Sequence, residues 1–213
     1  MIRKLPLLTG LVALSLAGCS KDGDIDSSGG IAITRSACPG VAIPAYTGDV
    51  TLFDPAESRE AGAIDLVGTI TNLRSTCTPQ GDDIVASATF DVIVTRTNTT
   101  GPRRVELPYF VTVVQGARSV VSKRIGVIAV DFADGQRTAQ TQGSATGYVN
   151  KAAATLPAEV QDRLTRKRKA GDLDAALDPL ADPDVRTAVQ KASFELLIGF
   201  QLSQAQLQYN ATR

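Results

Sequence analysis

Residues 84–96 alternate without a break. Ile84, Ala86, Ala88, Phe90, Val92 and Val94 fall on one side, and Val85, Ser87, Thr89, Asp91, Ile93 and Thr95 on the other. A period of two sustained over that length describes a half-buried strand. Such a strand needs partners, and the chain supplies them. Residues 63–73 carry Ile64, Leu66, Gly68 and Ile70 at the same period. Thr99-Thr100-Gly101-Pro102 turns the chain into residues 104–114, where Val105, Leu107, Tyr109, Val111 and Val113 alternate. Pro108 interrupts that run without a backbone N–H, which predicts an edge position or a bulge. Beyond Gly116, residues 120–132 place Ile128, Val130 and Phe132 on one face. Asp134-Gly135 reads as a hairpin turn into a weaker return strand at 137–149. Short strands at 31–34, 41–43 and 49–53 precede these.

The texture changes at residues 150–192, which read as helical. Leu156, Val160 and Leu164 lie at helical spacing, with Pro157 in a first turn and Gly171 at the C-terminal cap. Asp182 reads as an N-cap before Pro183, and Val185, Ala188, Val189 and Ala192 make the apolar stripe of a further helix. Phe194, Leu196, Ile198, Phe200 and Leu202 then alternate strictly, which returns residues 194–202 to the sheet. Ser203 and Gln206 form a capping box for a short last helix. The expected fold is mainly β: an antiparallel immunoglobulin-like β-sandwich at residues 31–213, with a helical insert before the final strand.

The N-terminus carries an address. Arg3 and Lys4 precede an apolar run at residues 5–16, too short to span a bilayer. Leu16-Ala17-Gly18-Cys19 follows, and is similar to the lipobox of bacterial lipoproteins. The resemblance implies a signal peptide at 1–18, removed after Cys19 takes a diacylglycerol, so that Cys19 becomes the lipidated (palmitate-type) first residue. The alternative is an ordinary export signal with a chance Cys, or an uncleaved anchor. Several acyl chains hold a protein stably to a membrane where one does not. Ser20, where Asp would favour inner-membrane retention, implies the outer membrane, with the domain facing the periplasm. Residues 20–30 are Gly/Ser-rich and read as a tether. Asp22, Asp24 and Asp26 within it lack the closing Glu of a calcium loop. Cleavage removes Arg3 and Lys4 and no acid, so 22 basic against 22 acidic side chains become 20 against 22.

With Cys19 acylated, Cys38 and Cys77 remain. An even pair in an exported protein reads as a disulfide, joining the first strand region to the hairpin after it; two free thiols are the alternative. Together with Leu107-Pro108-Tyr109-Phe110-Val111, Ser122-Lys123-Arg124, Val130-Asp131-Phe132 and the stretch from Phe194 to Leu202 ending in Gln206-Leu207 and Tyr209-Asn210, the chain resembles a group of lipoproteins of Gram-negative bacteria without an assigned activity. The likeness covers most of the mature chain and departs at 150–192. It implies location and a single domain, and brings no catalytic residues.

Function classes narrow on composition. The chain has no His, so Ser-His-Asp and Cys-His nucleophilic sites and His-bound metals are out. Near-zero net charge argues against nucleic acid as a partner. The densest charge is Arg163, Arg166, Lys167, Arg168 and Lys169. These residues either contact an anionic surface or polymer, or form a solvated helix end favoured by the dipole. Asp172, Asp174, Asp178, Asp182 and Asp184 follow; they read as caps or as partners of that basic run, with a carboxylate metal or acid/base site as the alternative. Tyr109, Phe110, Phe194 and Phe200 are expected in the core. No cofactor or metal is expected. The leading functional expectation is a non-enzymatic lipoprotein that binds another envelope protein or polymer. The second is a small-ligand or glycan binder with a pocket between sandwich and insert. The third is a hydrolase built on carboxylates.

Overall fold

The computed structural model describes residues 35–166, 171–172 and 177–212. Cys19, the tether, the short strand expected at 31–34, and Lys167, Arg168, Lys169 and Asp174 lie outside them. The protein is mainly β. One sheet runs in the order β1 (Gly40–Ala42), β8 (Phe194–Phe200), β5 (Arg103–Gln115), β6 (Ser119–Phe132). The other runs β2 (Asp49–Phe53), β3 (Ile64–Gln80), β4 (Asp83–Arg96), β7 (Thr138–Asn150). All neighbours are antiparallel except β1 and β8. The sheets form a sandwich-like pair over one core. Leu66, Phe90, Val92 and Val94 come from one side, and Leu107, Val113, Val130, Leu196 and Ile198 from the other. Each such side chain contributes about 1.5–3 kcal/mol on full burial.

Cys38 and Cys77 are joined, with Cα atoms 6.0 Å apart. The bond ties the segment leading into β1 to the outer half of β3, and so links the two sheets. Phe194 and Phe200 are core residues, while Tyr109 and Phe110 are half-buried.

Several expectations need correction. β3 continues to Gln80, well past residue 73, because Asn72 and Leu73 together face Phe90 in a bulge between Thr71 and Arg74. The bulge moves the inward set from Leu66, Gly68 and Ile70 to Leu73 and Cys77, so a single period-two template loses the strand. Asp134-Gly135 does turn the chain, with Gly135 at φ 74°, yet β6 and β7 are not a hairpin. They belong to opposite sheets, and β7 pairs with β4 along its whole length. β7 reads as weak in sequence because its inward residues are small. A Cβ on Gly143 would sit 2.5 Å from the Phe90 ring that fills its place. Pro108 is not on an edge strand, since β5 lies between β8 and β6. Its C=O accepts from Gln201 N–H just beyond the end of β8, so the missing donor faces a place where no strand continues.

Arg96 closes one end of the sandwich. It has the parity of Val92 and Val94 and is 1% exposed. Its guanidinium donates to the carbonyls of Thr99, Gly101, Ala133 and Gln136 at 2.8–2.9 Å and stacks 4.9 Å from the Phe132 ring centre. Those carbonyls belong to the two loops where the chain changes sheets, from β4 to β5 and from β6 to β7. Asp134 Oδ1, accepting from Gly101 N–H, ties the same loops together.

The Asp65 carboxylate on β3 and the Arg103 guanidinium on β5 make a second link between sheets, two hydrogen bonds of 2.7 and 2.6 Å. The hydrogen bonds from Arg103 hold the Asp65 carboxyl below its ordinary range, against a smaller opposing effect of burial. The unfolded chain therefore binds this proton at higher pH than the folded one. The stabilisation is complete above the ordinary carboxylate pKa and is lost as pH falls through the lowered folded value. Asp65→Asn should flatten the fall in stability below about pH 4, read as urea midpoints across an acid series. An unchanged slope would dismiss the pair as a pH-dependent contributor.

The insert lies between β7 and β8. α1 (Lys151–Ala154) is capped by Asn150, whose side chain accepts from Ala152 and Ala153 N–H. α2 (Ala158–Thr165) has Pro157 as its N-cap rather than in its first turn, and ends before Gly171, which is therefore not its cap. α3 (Pro183–Lys191) is capped by Asp182 with Pro183 at its start, as expected. Leu156, Leu164, Val185 and Ala192 give the insert its own small core. Gln115 Nε2 donates to Lys191 O, and Gly116 N–H to Ser193 O, fastening the insert to the end of β5. Arg35 joins them, donating to Ala154 O and Ala192 O. α4 (Gln204–Thr212) has the expected reciprocal cap: Gln206 Oε1 accepts from Ser203 N–H, and Ser203 Oγ from Gln206 N–H.

Candidate interaction surfaces

The basic run is described only at its start. Arg163 and Arg166 stand at the end of α2, above an open depression of about 700 Å³ that Asp162, Asp178, Asp182, Leu177 and Val185 also line. The carboxylates there have structural work. Asp178 accepts from Leu180 N–H at 2.8 Å. Asp182 accepts from Asp184 N–H through one oxygen and pairs with Arg163 at 3.1 Å through the other. The structure thus brings part of the basic run against part of the acidic run, with charges of both signs around one hollow. An exposed pair of this kind contributes about 0–1 kcal/mol, so the packing of α2 against α3 rests on Leu164 and Val185 of the insert's own core. Among the described residues no group of acids or cysteines is arranged to hold a metal, and no helix is long and apolar enough to cross a membrane.

A second surface was not visible in the sequence. β6 is one of the two edge strands of its sheet, opposite the three-residue β1. Its odd residues point outward, and Val121, Ile125 and Val127 are 54%, 54% and 60% exposed. Pro108 lies opposite Val127 and Phe110 opposite Ile125, extending the apolar strip onto β5. Lys123 Nζ lies 5.5 Å from the Phe110 ring centre. Edge strands are usually kept from pairing by charge, proline or brevity. The neighbouring edge, β7, is polar on its outer face from Thr138 to Ser144, with Thr138, Gln140, Gln142 and Ser144 exposed, and carries Tyr148 further along. β6 is long, and its outward face carries Val121, Ile125 and Val127 beside the charges of Lys123 and Asp131. The sequence signal was the stretch at residues 125–130, where Ile125, Val127 and Ala129 interleave with Ile128 and Val130 and both faces are free of charge.

No family model, no curated protein and no solved structure matches the chain.

Proposed function

We propose that the chain is a lipoprotein of the Gram-negative outer membrane, lipidated on Cys19, whose periplasm-facing domain is a non-enzymatic interaction or envelope-structural module. The observation that carries this reading is the exposed apolar strip along the β6 edge, a surface suited to strand pairing with a protein partner. The disulfide supports an oxidising compartment, in keeping with export. Two four-stranded sheets over one core support the immunoglobulin-like reading of the sandwich at the level of architecture. The start of the basic run, Arg163 and Arg166, is a secondary contact for an anionic envelope polymer. A small-ligand or glycan binder is the second reading, favoured by a hollow of about 400 Å³ between Gln115 of β5 and Thr155, Asp184 and Lys191 of the insert.

Anchoring is tested by Cys19→Ala, which should abolish palmitate labelling and release the protein from the membrane fraction; labelling that persists would refute lipidation at Cys19. The interaction surface is tested in cells with a photocrosslinking residue at Ile125 or at Gln142. An adduct from position 125 with none from 142 is expected, and the reverse pattern would defeat the assignment of β6.

A further inference from the structure

We propose that β6 pairs with β6 of a second copy, antiparallel about a two-fold axis through Val127, joining two sandwiches into one continuous sheet. The inference rests on the reading of β6 as the interaction edge and names its partner.

Backbone direction comes first. Pro108 turns its C=O toward β8, where Gln201 N–H donates to it at 2.8 Å. In an antiparallel ladder the N–H and C=O of one residue point the same way, and successive residues alternate. Val127, opposite Pro108, therefore directs both groups away from β5 to the open edge. Lys123, Ile125, Ala129 and Asp131, opposite Thr112, Phe110, Glu106 and Arg104, do the same. Among the described residues β6 pairs with β5 and with no other strand.

Charge then selects the register. A two-fold through Val127 sets Val127 against its own copy, Ile125 against Ala129 and Lys123 against Asp131, each as a hydrogen-bonded pair. Asp131 is exposed and already accepts from Arg104 at 3.0 Å, so the ammonium of Lys123 completes a row of alternating charge across the seam. A two-fold through Ile125 would instead set Lys123 against Val127 and leave its charge beside an apolar side chain. The chosen register also sets Ile125 and Val127 of one copy beside Ala129 and Val127 of the other on the same face of the joined sheet. The contact is self-complementary, as closed symmetry requires.

Paired Cα atoms at the axis would be about 5.5 Å apart, within disulfide range. The experiment is Val127→Cys in the full-length protein in its membrane, oxidised with diamide and run without reductant, with Gln142→Cys as the collision control. Val127→Cys should run at twice the monomer mass and Gln142→Cys as monomer. Lys123→Asp in the Val127→Cys background should lower crosslinking about fivefold, and adding Asp131→Lys should restore it. Crosslinking no greater than the control, or no restoration by the charge swap, would overturn the dimer. If Val127→Cys stays monomeric while the Ile125 probe traps a different protein, the dimer is overturned and the interaction reading stands. If position 125 also yields no adduct, both fall.

Discussion

Arg96→Ala should destabilise the protein by about 3–5 kcal/mol, the scale for stripping a buried charged group from its hydrogen-bond network. The guanidinium holds four carbonyls of two loops and covers the Phe132 ring. Its removal leaves those carbonyls without their donor and uncovers the Phe132 ring. For a domain of this length the loss corresponds to roughly 10 °C in Tm. Arg96→Lys should recover only part of it, because an ammonium cannot span four acceptors in a plane. Arg96→Met keeps much of the volume and removes the donors, so it separates packing from hydrogen bonding. Urea unfolding of the three variants measures this. A loss under 1 kcal/mol for Arg96→Ala would show that the corner holds without its arginine.

Removing the disulfide should cost nearly as much. Cys38 and Cys77 are 39 residues apart, and the chain-entropy relation gives about 4 kcal/mol for a loop of that size. The double variant Cys38→Ala/Cys77→Ala should unfold at lower urea by that amount and become insensitive to reductant. Against a typical total of about 5–15 kcal/mol, such a loss is severe. β1 has only three residues and a single neighbouring strand, so it should be the first element to lose amide protection. A double variant as stable as the parent would mean that core packing alone fixes the N-terminal segment.

The strands were legible in the sequence because each buries alternate residues. Strands β4, β5, β6 and β8 lie within a residue or two of where the pattern put them. β3 was legible only to its bulge, where one extra residue reverses the inward set. β7 was faint because Phe90 and its neighbours fill the space that its glycines leave. The capping residues Asp182, Ser203 and Gln206 were readable because caps act within one turn. Arg96 was not read from the sequence: it shares the parity of Val92 and Val94, but nothing local showed the four carbonyls that make burial of a guanidinium tolerable. At the basic run, charge density was plain in the sequence, while the pairing of Arg163 with Asp182 depended on how α2 and α3 pack.

By itself, the sequence determined a mainly β chain with a helical insert, and the pair of cysteines available to each other, because periodicity, caps and composition are local properties. Tertiary structure decided which strands are neighbours. It sent β6 and β7 to opposite sheets despite the turn between them, set Pro108 in an interior strand, and put β6 at a sheet edge. Strand order depends on contacts between residues far apart in the chain, which no local period records. That order leaves Val121, Ile125 and Val127 of β6 exposed on an edge strand.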